Sequence, residues 1–172
     1  MANGKIYFVR SSKFNRLEVL ATEPNADPRI SSPQSVGVRE IAAWLSDDVN
    51  SHLSAIGWVA RLEALESAES KGYLGTGNAH TVGVAGEYIF LECEFEEDLK
   101  VLVHKSHVVS LLKFYIATHE EPISSTCYDV EYVLEGEPAL NRYLEWGGRL
   151  GLSDTEIAEN ARKINRHKKE SG

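Results

Sequence analysis

Residues 79–104 read AHTVGVAGEYIFLECEFEEDLKVLVH, and this stretch decides the fold of the chain. Ala79–Val84 and Glu87–Phe95 are rich in β-branched and aromatic residues, and the Ala-Gly dipeptide between them suits a hairpin turn. The acidic residues Glu96–Asp98 then turn the chain into a third strand, Leu99–His104. Because the three strands are consecutive and closely linked, they are predicted to form an antiparallel meander.

The second of these strands alternates between two kinds of side chain. One set of positions is apolar: Ile89, Leu91, Cys93 and Phe95. The other set is largely acidic: Phe90, Glu92 and Glu94. A period of two predicts one buried face, with Cys93 as a small core residue, and one acidic face.

The rest of the chain supplies one further strand and several helices. Lys5–Arg10 reads as a strand and is predicted to join the same sheet. Residues 23–35 hold three of the five prolines and are predicted to form a loop. Apolar residues at three- and four-residue steps predict helices. The predicted helical ranges are 38–68, 106–118, 138–147 and 153–167. The first range fits one long helix or two successive helices, the second of which Ser46-Asp47-Asp48 would cap.

The last helix has a clear N-terminal pattern. Ser153 and Glu156 have the spacing of a capping box, in which each side chain bonds the other residue's backbone N–H. Ile157, Ala161 and Ile164 are predicted to form its buried stripe. Together these patterns predict a single α+β domain over residues 1–172, with amphipathic helices packed mainly on one face of an antiparallel sheet. Residues 160–172 are predicted to form a basic helical tail.

Composition narrows the class of protein. The 172 residues include 26 Asp and Glu against 18 Lys and Arg, a formal net charge of −8. An acidic chain repels polyanions, so nucleic acid is not the expected partner. Two cysteines are too few for a disulfide-stapled scaffold, and no apolar run has the length of a signal peptide or a membrane span. The sequence therefore predicts a cytoplasmic protein without a membrane partner.

The histidines give one arrangement with the residue types of a catalytic or metal site. His104 and His107, together with Cys93 and His119, have donor atoms suited to zinc or to general-base chemistry. Only one pair is close in sequence, and it straddles a strand–helix junction, which favours ordinary surface side chains. We therefore predict no metal, no cofactor and no catalytic residue. A small hydrolase or nuclease built on His104 and His107 remains an alternative hypothesis, as does a DNA-binding accessory protein that uses the basic C-terminal helix.

Residues 75–119 carry a family resemblance. Gly75-Thr-Gly-Asn-Ala79 leads into a short strand, an alternating strand follows, and an acidic turn, a third strand and an amphipathic helix complete the order. This order resembles the small acidic immunity proteins encoded beside bacterial polymorphic toxins, including those of contact-dependent growth inhibition. The resemblance implies a protein that is not an enzyme and that binds and neutralises the C-terminal domain of a cognate toxin.

The charge distribution favours the same function. Many such toxins are nucleases, whose cationic surfaces hold phosphates, and carboxylates placed there steer and strengthen a blocking contact. The predicted contact residues are Glu92, Glu94, Glu96, Glu97 and Asp98, with Asp47, Asp48, Glu120 and Glu121 as second choices. Tyr88 or Phe90 would supply an aromatic anchor, although both fit the core equally well. The oligomeric state is left open.

Overall fold

The computed structural model describes residues 1–13, 16–65 and 71–170 of the chain. Within these residues, the strands are Ala2–Ser11 (β1), Arg16–Leu20 (β2), Lys71–Thr76 (β3), His80–Ala85 (β4), Tyr88–Cys93 (β5), Lys100–His104 (β6), Ser125–Tyr132 (β7) and Leu134–Glu135 (β8). The α-helices are Val36–Trp44 (α1), His52–Glu63 (α2), Lys105–Glu120 (α3), Glu137–Glu145 (α4) and Asp154–Glu170 (α5). The strands form two antiparallel sheets, ordered β2-β1-β7 and β3-β4-β5-β6-β8. The fold is α+β, as the sequence predicts.

The predicted meander forms the centre of the larger sheet. Its register pairs Val84 with Ile89 and Phe90 with Leu102. The hairpin turn falls at Gly86-Glu87, one residue later than predicted, because Gly86 takes a φ of 60° that glycine adopts without steric cost. β3 and β8 extend the sheet at its two edges.

The N-terminal strand does not join this sheet, so that prediction was wrong. β1 pairs with β7 from Ala2↔Tyr132 to Val9↔Ser125, and with β2 on its other side. Both edges of the meander are taken by β3 and β8, whereas β7 offers β1 a partner of nearly its own length. Ile6 and Phe8 of β1 are fully buried and connect the small sheet to the main core.

The first predicted helical range contains two helices. A π-helical segment, Leu45–Val49, follows α1, and Asn50 ends it in a left-handed conformation with φ of 41°. The N-cap of α2 is Ser51, whose hydroxyl accepts from the Ser54 N–H at 3.1 Å, so the predicted cap at 46–48 was wrong. Residues 66–70, which include the end of that predicted range, lie outside the described residues.

The two faces of the larger sheet are covered by different helices. α1 and α3 cover the face that carries Ile89 and Leu91. α4 covers the opposite face, where the Tyr143 ring stacks on Phe90 with centroids 4.5 Å apart and planes 8° apart. Phe90 is therefore a core residue, and only the end of the predicted acidic face, at Glu92 and beyond, reaches solvent.

The last helix keeps its predicted cap but not its predicted burial. Glu156 accepts from the Ser153 N–H at 2.7 Å, and the Ser153 hydroxyl accepts from the Glu156 N–H at 3.3 Å, which confirms the capping box. Ile157 and Ile164 are 53% and 57% exposed, and Ala161 is exposed as well, so the predicted buried stripe was wrong. Of the helices in the described ranges, none has the length and apolarity needed to cross a membrane.

Candidate functional site

The predicted acidic residues surround an exposed aromatic side chain. β5 ends at Cys93, and Glu94, Glu96, Glu97 and Asp98 are exposed in the turn that leads to β6. Phe95 is 77% exposed among them, and its predicted place on the buried face of the strand was wrong. The reason is that the strand conformation ends two residues earlier, where Glu94 N–H bonds the Ala79 carbonyl and the chain begins to turn.

Glu94, Phe95 and Glu97 line one wall of a cleft of about 420 Å³, which we call the acidic cleft. Its lining comprises Thr81, Glu92, Cys93, Glu94, Phe95, Glu97, Lys100 and Leu150. Leu150 is 42% exposed and belongs to the segment between α4 and α5. The cleft therefore combines two exposed apolar side chains with three carboxylates.

Glu92 differs from the other carboxylates of the cleft. Burial raises the pKa of Glu92, nearby Lys100 opposes that shift, and the negative charges of Glu94 and Glu137 add to it. Lys100 is itself buried, with its Nζ 3.8 Å from Glu92 Oε1 and bonded to the Glu97 carbonyl. Glu92 therefore serves mainly as the counter-charge of a buried lysine, whereas Glu94, Glu96, Glu97 and Asp98 face solvent.

The second-choice acidic residues lie in two different places. Asp48 accepts from the Ala79 and His80 backbone N–H groups at 3.0 and 2.9 Å, and Asp47 Oδ2 is 3.3 Å from His80 Nε2. Both therefore hold the start of β4 against the π-helical segment. Glu120 instead contacts His52 of α2 at 3.0 Å, and the Glu121 carbonyl accepts from Arg10.

A buried group of three side chains lies behind the acidic cleft, and we call it the buried cluster: Glu40, His80 and Cys93. α1 contributes Glu40, while His80 and Cys93 are paired in register on β4 and β5. One donor atom from each lies within 4.8 Å of the other two. Glu40 and His80 are 0% exposed, and Glu40 Oε1 is 2.7 Å from His80 Nδ1. The cluster thus places a carboxylate, an imidazole and a thiol together inside the protein.

Burial and hydrogen bonding act in opposite directions on the two titratable groups of this pair. Burial raises the pKa of the Glu40 carboxyl to about 7, although the contact with His80 lowers it. Burial alone would lower the pKa of His80, but the hydrogen bond to Glu40 and the nearby Asp47 and Asp48 raise it above its ordinary value. Both pKa shifts therefore favour a state in which His80 Nδ1 and Glu40 Oε1 share one proton near neutral pH.

Two polar atoms beside this pair lack a hydrogen bond. In the described parts of the chain, no group bonds Glu40 Oε2 or Trp44 Nε1, and both atoms are buried. Glu40 and Trp44 are four residues apart on α1, which places them on the same side of that helix. A buried carboxylate oxygen without a partner is costly, so it points to an occupant that the protein side chains do not supply.

Each histidine of the predicted pair accepts a hydrogen bond from a backbone N–H group, His104 within its own strand–helix junction and His107 from β7. His104 caps α3 by accepting from the Ser106 N–H at 3.3 Å, and His107 Nε2 accepts from the Glu131 N–H at 3.0 Å. The structure groups Cys93 with Glu40 and His80 rather than with His104, His107 or His119. Nothing in the sequence spacing indicated Glu40, while the hairpin register was the one signal that could have brought His80 opposite Cys93.

Tyr88 and the basic tail occupy other surfaces. Tyr88 packs on Trp146 with ring centroids 4.6 Å apart and lines a separate cleft of about 650 Å³ with His104 and Glu145. It lies at the opposite end of β5 from Cys93, so it is not an anchor for the acidic cleft. In α5 the exposed cations Arg162, Lys163 and Arg166 share their surface with Glu159.

Comparisons of the chain with protein-family models, with curated protein sequences and with solved structures find no match. Functional proposals for this chain therefore rest on its own sequence and on the geometry of its residues.

Proposed function

We propose that this chain is an inhibitory binding protein whose acidic cleft engages a cationic protein partner. The observation that supports this proposal is the exposure of Phe95, which is 77% accessible between exposed carboxylates on both sides. A large aromatic ring gains free energy when a partner covers it, and aromatic anchors dominate many interfaces. Leu150 lies on the same cleft and adds apolar surface beside the ring.

The surrounding carboxylates select the charge of that partner. Glu94, Glu96, Glu97 and Asp98 project a local negative field from one end of the larger sheet. Such a field steers a cationic surface into contact and raises the association rate at low ionic strength. The aromatic ring would then provide the desolvated centre, and the carboxylates would form the charged rim.

The proposed partner is the toxic domain of a bacterial toxin, with a nuclease as the favoured class. Nucleases carry cationic surfaces that hold phosphates, and carboxylates can pair with the same cations. The resemblance of residues 75–119 to immunity proteins supports this class of partner. The mechanism would be occlusion of the toxin's active site or of the path of its substrate, without catalysis by the inhibitor.

Co-expression with the polypeptide encoded immediately upstream tests the proposal. We expect a stable complex on co-purification, and growth arrest when the upstream polypeptide is expressed alone. A harmless upstream product that does not bind this chain would contradict the proposal.

The place of contact is tested by a matched pair of truncations. Phe95→Ala removes the exposed ring from the acidic cleft, whereas Leu53→Ala removes a side chain that is 79% exposed on α2. We expect Phe95→Ala to weaken the complex by about 2 kcal/mol, as truncation of a central aromatic does, and Leu53→Ala to leave it unchanged. Equal affinities of the two variants would place the interface elsewhere.

Charge reversal tests whether the partner contacts the acidic cleft or the acidic residues at the end of α3. The double variant Glu96→Lys/Glu97→Lys changes the turn beside the acidic cleft, and Glu120→Lys/Glu121→Lys changes the end of α3 by the same charge. Because steering depends on local potential, we expect the first to slow association about tenfold at low salt and the second to have little effect. If the Glu120/Glu121 variant slowed association more than the Glu96/Glu97 variant, the interface would lie at the end of α3.

A further inference from the structure

Three metal-ligand side chains of different types meet where α1 crosses the β4–β5 hairpin. We propose that Glu40, His80 and Cys93 form a binding site for a zinc ion, distinct from any contact with a protein partner. The site would hold Zn²⁺ through a carboxylate oxygen, a ring nitrogen and a thiolate, and would leave a fourth position for water.

The donor set and its spacing fit zinc. Zn²⁺ is bound by Cys, His and carboxylate side chains, and the ligand atoms of a tetrahedral site lie about 3.3–3.8 Å apart. The donor atoms of the buried cluster already lie within 4.8 Å of one another, and Glu40 Oε1 is 2.7 Å from His80 Nδ1. Small side-chain adjustments would therefore bring all three to bonding distance.

The unpaired oxygen of Glu40 is an independent sign of an occupant. Glu40 is 0% exposed, and among the described residues nothing bonds its Oε2 atom. The contact with His80 satisfies only the other oxygen. A structural Glu–His pair needs neither the thiol of Cys93 nor a free carboxylate oxygen, whereas a metal ion uses both.

His80 is oriented as metal-ligating histidines are. Its Nδ1 atom faces Glu40, and its Nε2 atom lies 3.3 Å from Asp47 Oδ2. Histidine ligands usually donate their second ring N–H to a carboxylate, which fixes the ring and increases its basicity. Asp48 additionally bonds the His80 backbone N–H at 2.9 Å, so both the ring and the main chain of His80 are held in place.

A route for the ion leads through the acidic cleft. Cys93 is 8% exposed and lines that cleft together with Glu92, Glu94 and Glu97. Carboxylates at the mouth of a site raise the local concentration of cations. On binding, the Cys93 thiol loses its proton and the proton between Glu40 and His80 is displaced, so two protons leave to solvent as the metal–ligand bonds form.

Titration of the metal-free protein with Co²⁺ tests the site directly. Zn²⁺ is spectroscopically silent, whereas tetrahedral Co²⁺ shows ligand-field bands, and a thiolate ligand adds a charge-transfer band. We expect both in the wild-type protein, with Zn²⁺ displacing Co²⁺ at one equivalent. Cys93→Ser should abolish the charge-transfer band, and Cys127→Ser, which changes the exposed cysteine of β7, should retain it. Absence of the band in the wild-type protein, or its loss in Cys127→Ser rather than Cys93→Ser, would overturn the proposal.

Asp47→Asn tests the positioning carboxylate. The Asp47 side chain is 51% exposed, and Asp48 still bonds the Ala79 and His80 N–H groups in this variant, so the replacement should leave the fold intact. Loss of such an outer partner typically lowers metal affinity 10–100-fold, and we expect that range for Zn²⁺ competition with Co²⁺ while the charge-transfer band keeps its position. Unchanged affinity for Zn²⁺ would contradict the proposed role of Asp47 in orienting His80. Phe95→Ala should leave Co²⁺ binding unaltered, which separates this proposal from the one for the protein partner.

Discussion

Gly83 lies in the tightest contact between α4 and the larger sheet, and Gly83→Ala tests whether that contact is rigid. A Cβ atom on Gly83 would lie 2.5 Å from Cζ of Tyr143 and would overlap its hydroxyl oxygen. The ring cannot simply move away. It stacks on Phe90 on one side, and Gly148 lies so close that a Cβ there would also overlap it.

The hydroxyl group fixes Tyr143 further. It donates to the Arg149 carbonyl at 2.7 Å and accepts from the Arg149 N–H at 3.0 Å. A shift of the ring therefore strains the α4–α5 segment that carries Leu150 to the acidic cleft. Overpacking of a well-packed site costs about 1–3 kcal/mol, and because Phe90, Gly148 and Arg149 all hold the ring we expect about 3 kcal/mol for Gly83→Ala.

Urea unfolding followed by circular dichroism measures this loss. For a chain of this size, about 3 kcal/mol corresponds to a melting temperature lower by about 6–12 °C. Gly57→Ala is the matched control, since outside its chain neighbours and the backbone of α2 no described atom lies within 4 Å of a Cβ at that position. Alanine is the better helix former by about 1 kcal/mol, so the control should be slightly stabilised. A free energy of unfolding for Gly83→Ala within 0.5 kcal/mol of wild type would refute the rigid contact.

Two further predictions concern local structure. Arg149 and the capping box with Ser153 lower the pKa of Glu156 to about 2 from 4.5, so the cap stabilises α5 above pH 4.5 and this stabilisation is lost as pH falls towards 2. The protection factors of the amides in the first turn of α5 should fall over that window in the wild type but not in Glu156→Gln. Protection factors that change with pH to the same extent in both proteins would contradict this prediction. His107→Ala removes the acceptor of the Glu131 N–H, and we expect a loss of about 1 kcal/mol in thermal unfolding, since that N–H then lacks its protein partner. A destabilisation near zero would indicate that water replaces the ring.

Local sequence patterns predicted the elements whose contacts are local. The meander follows from alternation and short turns, and the capping box follows from the spacing of Ser153 and Glu156. The N-terminal strand shows the limit of such patterns. The composition of Lys5–Arg10 predicts a strand, but it does not say that the partner of β1 is β7, which lies more than a hundred residues later.

Amphipathic patterns identify an apolar face without identifying what covers it. Ile157 and Ile164 share one side of α5 as predicted, yet both remain exposed. The converse happens at β5, where the face that carries Phe90 appeared acidic because Glu92 and Glu94 follow it. α4 covers the first part of that face and leaves the second part open, a division that depends on tertiary packing alone.

The buried cluster was unpredictable for the same reason. Burial of Cys93 followed from its place in the strand, and that prediction is confirmed. Glu40 follows Arg39 in a helix whose other residues are apolar, and its carboxylate meets His80 only because α1 packs on the sheet at that point. A helical pattern treats such a residue as exposed by default, since unpaired charges are rarely buried.

The acidic groups of this protein are concentrated by its topology rather than by its composition alone. The end of β5, the turn after it and the N-terminus of α4 bring carboxylates to one end of the larger sheet, and Glu94 and Glu137 are near enough to raise the pKa of Glu92. Repulsion between these negative charges opposes folding. Lys100 pairs with Glu92 through its Nζ atom and so offsets only part of that repulsion. A cation at this end would relieve the remainder. The proposed protein partner supplies one at the surface through its basic side chains, and the proposed zinc ion supplies one behind Cys93, so both proposals place positive charge where the fold has gathered negative charge.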